Sequence, residues 1–486
     1  MQNKAAKKPT YEELLAENTF LKFEIANFKK IVFGQKRERF IPENNNQLTF
    51  LGMPVSSETL SEREKITYTR TRPNRKKKHP VRQVLPAGLP RNEIIIEPEQ
   101  DTSGMKKIGE EITEELEYKP AKVYVNRYIR PKYALPAEKG VIIGMLPARP
   151  IEKGIAGPGL LAHIAISKYV DHLPLYRQAQ QFSRLGIKLP GSTIDGWVKK
   201  TAELIEPVDG LLRRRVLQSG YLMVDETPIK VQDPGIKGKN HQGYYWVYYD
   251  PLGRRIFFDY QKGRGRAGPN QILKDFKGYL QTDGYAGYNE LAKREDITPV
   301  GCMAHARRYF KDAQDSDPER AKWMLHHIQL LYKIERYARE ELGTHPKRLK
   351  ERQNNSSIVM GIIKDWLDTE SQNVLPKSPI GKAITYMLRQ WSRLEIFMTN
   401  GQLEIDNNQV ENAIRPIALG RKNYLFAGSH NGAKRAAALY TIMANAKLQG
   451  VDPFFYLRDI LSRIQDHPYK KLDQLLPENF KEQYSE

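Results

Sequence analysis

Hydrophobic positions change period several times along the chain. Over residues 11–40 they repeat at heptad spacing, with Tyr11, Asn18, Ile25 and Val32 at one seam position and Leu14, Leu21 and Phe28 at the other. That pattern predicts a coiled-coil helix within residues 1–40, in which an Asn commonly fixes register and favours a dimer. A helix packed on its own domain would show the same spacing. Residues 41–78 lose the period and read as a linker. From 79 to 150 the apolar residues come in short alternating runs, EIIIEP and KVYVNRYIRPKY, so a small β domain is expected. Helical spacing returns over 151–215. There LPLYRQAQQFSRLGIKLPGSTIDGWVKKTAEL predicts an amphipathic helix, a turn over 186–191 and a second helix opened by Ser192, with Asp195 at capping-box distance. Helix, turn, helix is the outline of a DNA-reading element, although any αα-hairpin shares it.

Strand patterns dominate residues 216–310. YLMVDETPIKVQ, YYWVYYD and RIFFDYQKG are β-rich, and the Pro251-Leu252-Gly253 turn makes the last two a hairpin. A helical stretch, PNQILKDF, precedes a fourth strand in GYLQTDGYAGY. Three antiparallel strands, a helix and another strand begin a ribonuclease H-like fold, in which the first and fourth strands are neighbours. Residues 311–402 are helical in pattern, with Met324, Ile328 and Leu331 on one face, and read as an inserted subdomain. Residues 403–437 then close the core with a helix bearing Glu411, and 438–486 form a C-terminal helical element. The fold class expected is multidomain α+β: a ribonuclease H-like catalytic core, a mixed sheet flanked by helices, with a helical insertion. The coiled-coil helix, the small β domain and the helix-turn-helix-like domain precede it. A length of 486 residues suits roughly three domains.

Charge narrows the partners. Lys plus Arg number 78 against 57 Asp plus Glu, a net of +21, so a polyanion is the default partner and its binding should weaken steeply with salt. Arg70, Arg72, Arg75, Lys76, Lys77 and Lys78 crowd the end of the linker, broken by Pro73 and Asn74. They suit a solvated tether, a DNA-backbone contact, or both. No apolar run reaches the about 18 residues of a membrane span, and the N-terminal MQNKAAKKPT lacks a signal-peptide core. Cys302 is the single cysteine, which excludes an internal disulfide framework and fits a reducing cytoplasm.

Three acids carry the candidate chemistry. Asp225 interrupts an apolar strand, where a carboxylate needs a cation or hydrogen bonds to be buried. Asp283 stands in T-D-G, which is also ordinary turn chemistry. Glu411, in NNQVENAIR, equally suits a capping box begun by Asn408 or a pair with Arg415. Taken together they suit Mg²⁺, which prefers hard oxygen ligands and retains water, and two such ions about 3.5–4 Å apart serve in-line displacement at phosphorus. Glu226, next to Asp225, should face the other side of the strand and is not expected to bind metal. GCMAHARRYF sets Cys302 and His305 at C-x-x-H spacing, half a zinc site at best, so a structural pair is the alternative. Arg307 and Arg308 beside them, Arg264 and Arg266 in QKGRGRAG, and Arg421 and Lys422 in GRKN are candidate phosphate contacts, with surface solvation as the competing reading.

Longer motifs identify a family. EIDNNQVENAIRPIALGRKNYLFAGSHNGAKRAA, MVDETP, LQTDGYAGYN and GCMAHARRYF closely resemble the DDE transposases of the insertion-sequence-sixty-six family. IVFGQKRERF, LPAGLPRNEIIIEP and AKLQGVDPFFYLRDIL resemble its other parts, so the likeness covers nearly the whole chain. It implies a catalytic triad of Asp225, Asp283 and Glu411, two Mg²⁺ or Mn²⁺ ions, and cleavage and strand transfer at transposon ends. Double-stranded DNA, a homodimer or higher oligomer, small accessory proteins and a cytoplasmic, nucleoid-associated location are the corresponding expectations, with no membrane partner. A catalytically inactive DNA-binding regulator and a nuclease that cuts without joining are the alternatives. The family's small domain normally binds zinc through cysteine pairs. Residues 98–101 and 134–137, where those pairs would stand, hold no cysteine, so no structural zinc is expected.

Overall fold

The computed structural model of the chain describes residues 123–126, 132–134, 141–143, 148–152, 154–233, 235 and 239–480. The coiled-coil helix expected within 1–40 and the basic cluster from Arg70 to Lys78 lie outside the described residues. The chain divides into two units. In the unit formed by residues 35–145, two short strands are described, β1 (Lys132–Ala134) and β2 (Val141–Ile143). They pair antiparallel, with Tyr133 opposite Ile142.

Among the described residues of the other unit, three helices come first, α1 (Pro158–Tyr169), α2 (Leu175–Arg184) and α3 (Gly191–Leu217). The helix, turn, helix outline expected here is present, with two differences. No capping box forms: α3 begins at Gly191 after an extended Pro190, without a side-chain cap, and Ser192 falls inside the first turn. Nor is α3 a free recognition helix. It buries Ile194, Trp197, Val198, Ile205, Val208 and Leu212 along its length, and this stripe shares one apolar core with the sheet that follows. α3 therefore runs through the 215/216 boundary.

That sheet contains β3 (Tyr221–Gln232), β4 (Asn240–Asp250), β5 (Arg255–Gln261), β6 (Gly278–Gln281) and β7 (Ile297–Val300). Its order is β5-β4-β3-β6-β7. The first three in sequence pair antiparallel, and β6 and β7 run parallel to β3. The turn between β4 and β5 forms because Asp250 Oδ1 accepts the N–H groups of Leu252 and Gly253, both at 3.0 Å. α4 (Ala267–Ile272), shorter than the stretch PNQILKDF, lies between β5 and β6. β6 starts at Gly278, whose φ of +120° and contact with the Gly220 carbonyl leave no room for a Cβ.

Strand alternation sends side chains into two cores. Tyr221, Met223, Val247 and Phe258 point into the core shared with α3. Leu222, Val224, Trp246 and Tyr248 point into the other, with Leu273, Phe276 and Tyr288. After β7 come α5 (Met303–Ala313), α6 (Pro318–Glu340), α7 (His345–Glu351), α8 (Ser357–Glu370) and α9 (Pro379–Leu394). Met324, Ile328 and Leu331 of α6 are fully buried, as their spacing predicts. Three helices follow: α10 (Asn408–Tyr424), α11 (His430–Leu448) and α12 (Pro453–Arg463). α11 covers the edge strand: Ile256 N–H donates to Asn445 Oδ1 and Phe258 N–H to Thr441 Oγ1, each at 3.1 Å. This single helix runs through the 437/438 boundary.

Candidate functional site

Pairing of β3 with β6 brings the two aspartates level. Tyr221 stands opposite Tyr279, Leu222 opposite Leu280 and Met223 opposite Gln281, and the same offset, carried two residues past β6, sets Asp283 beside Asp225. The buried Gln281 side chain braces this end of the sheet. Its Oε1 accepts the Tyr221 hydroxyl, and its Nε2 donates to Gly301 O at 2.9 Å and to Glu404 O at 3.0 Å. Main-chain amides orient the acids: Glu226 N–H donates to Asp225 Oδ1 and Tyr285 N–H to Asp283 Oδ1, both at 2.8 Å.

Glu411 arrives on the first turn of α10. The capping box imagined from Asn408 does not form, because Asn407 precedes the helix without a side-chain cap and Asn408 Nδ2 donates to Asp406 Oδ2 at 2.8 Å. The Glu411 carboxylate instead faces α5, with Oε1 3.7 Å from His305 Nδ1 and Oε2 3.6 Å from Arg308 Nη2. Burial pushes the Asp225 carboxyl well above the ordinary carboxylate range, and the charges of Glu226, Asp283 and Glu411 push the same way. Carboxylates crowded closely enough to disfavour ionisation of one of them fit a hard divalent cation. Among the described residues no three His, Cys, Asp or Glu groups already stand at metal-binding spacing. Mg²⁺ keeps several waters and needs only one or two carboxylates at a time, so the residues fit it without a preformed cage.

Cys302 and His305 meet through the backbone, the His305 amide reaching the Cys302 sulfur. Cys302 is buried, its Sγ accepts the Asn407 N–H at 3.5 Å, and burial raises its thiol. Burial and the neighbouring Arg308 charge pull His305 down to about 4, against Asp283, so the imidazole is neutral at pH 7 and faces Glu411.

The candidate phosphate contacts divide. Arg264 donates to the buried Glu226 carboxylate at 2.6 Å and lies 4.0 Å from the centre of the Tyr285 ring. Glu226 does lie on the other strand face, where Tyr288 also donates to it. Arg266 pairs with Glu290 at 2.6 Å, and Arg421 Nη1 donates to Thr227 Oγ1 and Pro228 O. Arg307 is half-buried, and Lys422 is exposed. Sequence reasoning missed α9: the Tyr386 hydroxyl donates to Asp283 O at 2.8 Å and its ring stacks on Tyr309 at 4.3 Å. Tyr386, Arg389, Gln390 and Arg393 recur at one-face helical spacing, a signal that could have found them.

Residues 153–435 match the family model described as Transposase IS66 family, and 441–477 match its IS66 C-terminal element. Residues 21–94 match a model described as Transposase C of IS166 homeodomain. Residues 100–134 match the zinc-finger binding domain of transposase IS66. This last match corrects the expectation that no structural zinc belongs to the small β domain, since the segment is related to the family's zinc finger. The stretch itself contains no cysteine or histidine, which is why ligand spacing alone pointed the other way. Two relatives in Sinorhizobium fredii carry the names uncharacterized protein y4qI and uncharacterized protein y4jD. The first is 36% identical over 82% of this chain and 77% of its own length, and the second 34% identical over 82% and 81%. No solved structure matches the chain. Among the described residues, no helix is long and apolar enough to cross a membrane.

Proposed function

This chain belongs to the IS66 transposase family, and from that premise we propose a DDE transposase that cuts and joins DNA at transposon ends through Asp225, Asp283 and Glu411. One observation carries the reading: Asp225 on β3 and Asp283 just past the end of its parallel neighbour β6, with Glu411 at the start of α10, lie close enough that the charges of Asp283 and Glu411 both raise the Asp225 carboxyl. The strand order, three antiparallel strands followed by two parallel ones, supports a ribonuclease H-like core.

Asp225 and Asp283 would hold Mg²⁺ or Mn²⁺ ions, with Glu411 completing the second position. Two such ions, when bound, supply activation of the attacking oxygen and stabilisation of the leaving one. The chain's own groups do the positioning. The Glu226 and Tyr285 amides orient the aspartates, and Tyr386 fixes the Asp283 main chain. Neutral His305 faces Glu411 without neutralising it. Water serves as the nucleophile in cleavage and a DNA 3′-hydroxyl in joining. Assembly as a homodimer or larger complex, with accessory proteins, belongs to the same reading.

The test is a strand-transfer assay with terminal-repeat DNA and Mg²⁺, comparing wild type with Asp225→Asn. Wild type should cut and join, and the variant should lose both by roughly two orders of magnitude or more. A variant that joins as well as wild type rejects the site, and a wild type that only cuts makes the protein a nuclease.

A further inference from the structure

Beside Asp283 the surface opens into a cleft of about 380 Å³ between the segment after β6 and helix α9. Lys293, Arg389 and Arg393 line it, with the amides of Asn289 and Gln390 and the backbone of Gly284. These are the groups that contact phosphate oxygens in DNA complexes. Its apolar lining comes from Ala286 and Ala292, without the large aliphatic and aromatic side chains of a small-molecule pocket. No carboxylate lines the cleft, and among the described residues none pairs with any of the three cations. Among the described residues the Arg393 guanidinium makes only long contacts, 3.4 Å to Gln390 Oε1 and 3.5 Å to Asn289 Oδ1, so most of its five donors are available. Arg264, Arg266 and Arg421, the clamps suggested by local sequence, are engaged within the protein.

The cleft is also tied mechanically to the acids. Tyr386, one turn before Gln390 on α9, holds the Asp283 carbonyl, and Gly284 passes so close to α9 that a Cβ would lie 2.8 Å from Gln390 Nε2. An occupant of the cleft is therefore held next to Asp283.

We propose that this cleft binds the phosphodiester backbone of the DNA strand that runs past Asp283, through Lys293, Arg389 and Arg393. The proposal rests on the transposase reading and adds the surface that guides the strand.

The experiment measures binding of a fluorescent duplex of arbitrary sequence to the full chain across a salt series. Wild type is compared with the triple variant Lys293→Gln, Arg389→Gln, Arg393→Gln and with the charge-keeping variant Arg389→Lys, Arg393→Lys. Each phosphate contact contributes about 0.9 to the slope of log K against log salt, so the Gln variant should lose roughly 2–3 from the slope and the Lys variant almost nothing. A Gln variant with the wild-type slope overturns the proposal and leaves the transposase reading standing. A wild type that does not bind the duplex overturns both. On unmutated protein, the duplex should protect Lys293 from acetylation and Arg389 from phenylglyoxal, and unchanged labelling overturns the proposal even if the triple variant fails to fold.

Discussion

Asp225 is the residue at which stability and activity pull apart. Its carboxyl sits among Glu226, Asp283 and Glu411, and burial together with their charges disfavours its ionised form. An amide of the same shape removes that repulsion. Without divalent metal, Asp225→Asn should therefore be more stable than wild type by about 1–3 kcal/mol, the scale of an uncompensated buried polar group, while losing strand transfer. Added Mg²⁺ should raise the melting temperature of wild type, since a ligand that binds only the folded form stabilises it, and should leave the variant nearly unchanged. Equal metal-induced shifts in the two proteins count against Asp225 as a ligand. Gly284 gives a second residue-scale test. Its φ of +84° and the 2.8 Å approach of Gln390 to a hypothetical Cβ make Gly284→Ala strained by on the order of 1–2 kcal/mol, readable by urea titration, with slower strand transfer because Asp283 moves with it. The aspartate pair was legible because strand order and a constant register are local patterns. Glu411 was ambiguous, since a carboxylate in a first helical turn suits a cap as well as a site. Lys293, Arg389 and Arg393 were not legible, because the cleft joins residues about a hundred positions apart.

Among the elements, the helices between β7 and α10 are joined to the core by a buried ionic strut. Arg352, fully buried, donates to Glu335 Oε1 at 2.6 Å and Oε2 at 2.8 Å, and to the carbonyls of Phe397, Asn400 and Leu403. Arg348 bridges Glu335 to Glu404, and Glu404 N–H donates to the Tyr221 hydroxyl at 3.0 Å. The segment leading into α10, and with it Glu411, is thus fixed by the insertion. Burial raises the Glu335 carboxyl, but its bonds to Arg352 and the charges of both arginines outweigh this and leave it below its ordinary value. A depressed folded value means the stabilisation is present above the unfolded value of about 4.5 and is lost as pH falls through the folded one. Wild type should accordingly lose stability on acidification below that range. Glu335→Gln should be destabilised at pH 7 by about 3–5 kcal/mol, because the fully buried Arg352 loses its counter-charge and Arg348 keeps only Glu404, and should show a flatter acid limb. Urea titrations at a series of pH values decide it, and an unchanged midpoint for Glu335→Gln at pH 7 would remove the strut. The helices themselves were legible from the spacing of Met324, Ile328 and Leu331. The strut was not, since charged residues on a helical pattern read as solvated face until a distant segment covers them.

At the scale of the whole molecule, the five-stranded sheet cannot be separated from the helices on either side of it in the chain. Boundaries drawn at 215/216 and 437/438 follow changes of hydrophobic period, yet both fall inside continuous helices, α3 and α11. Period reports what an element is and says nothing of what it packs on, so a helix that serves as the outer layer of a sheet looks like the end of one domain or the start of another. Ile205, Val208 and Leu212 from α3 and Leu439, Ile442 and Met443 from α11 enter the core that covers one face of the sheet. Burying a side chain of this size contributes about 1.5–3 kcal/mol, so removing all six forfeits roughly 9–18 kcal/mol. That is as large as the ~5–15 kcal/mol that separates a folded domain from its unfolded chain. The fragment 216–437, which contains all three proposed catalytic acids, should therefore show no cooperative melting transition and no metal-induced shift. The fragment 148–480, which keeps both helices and the edge-strand bonds of Asn445 and Thr441, should melt cooperatively and respond to Mg²⁺. Circular dichroism melts of the two fragments read this directly, and cooperative unfolding of 216–437 would show that the sheet holds its shape without the helices that cover it.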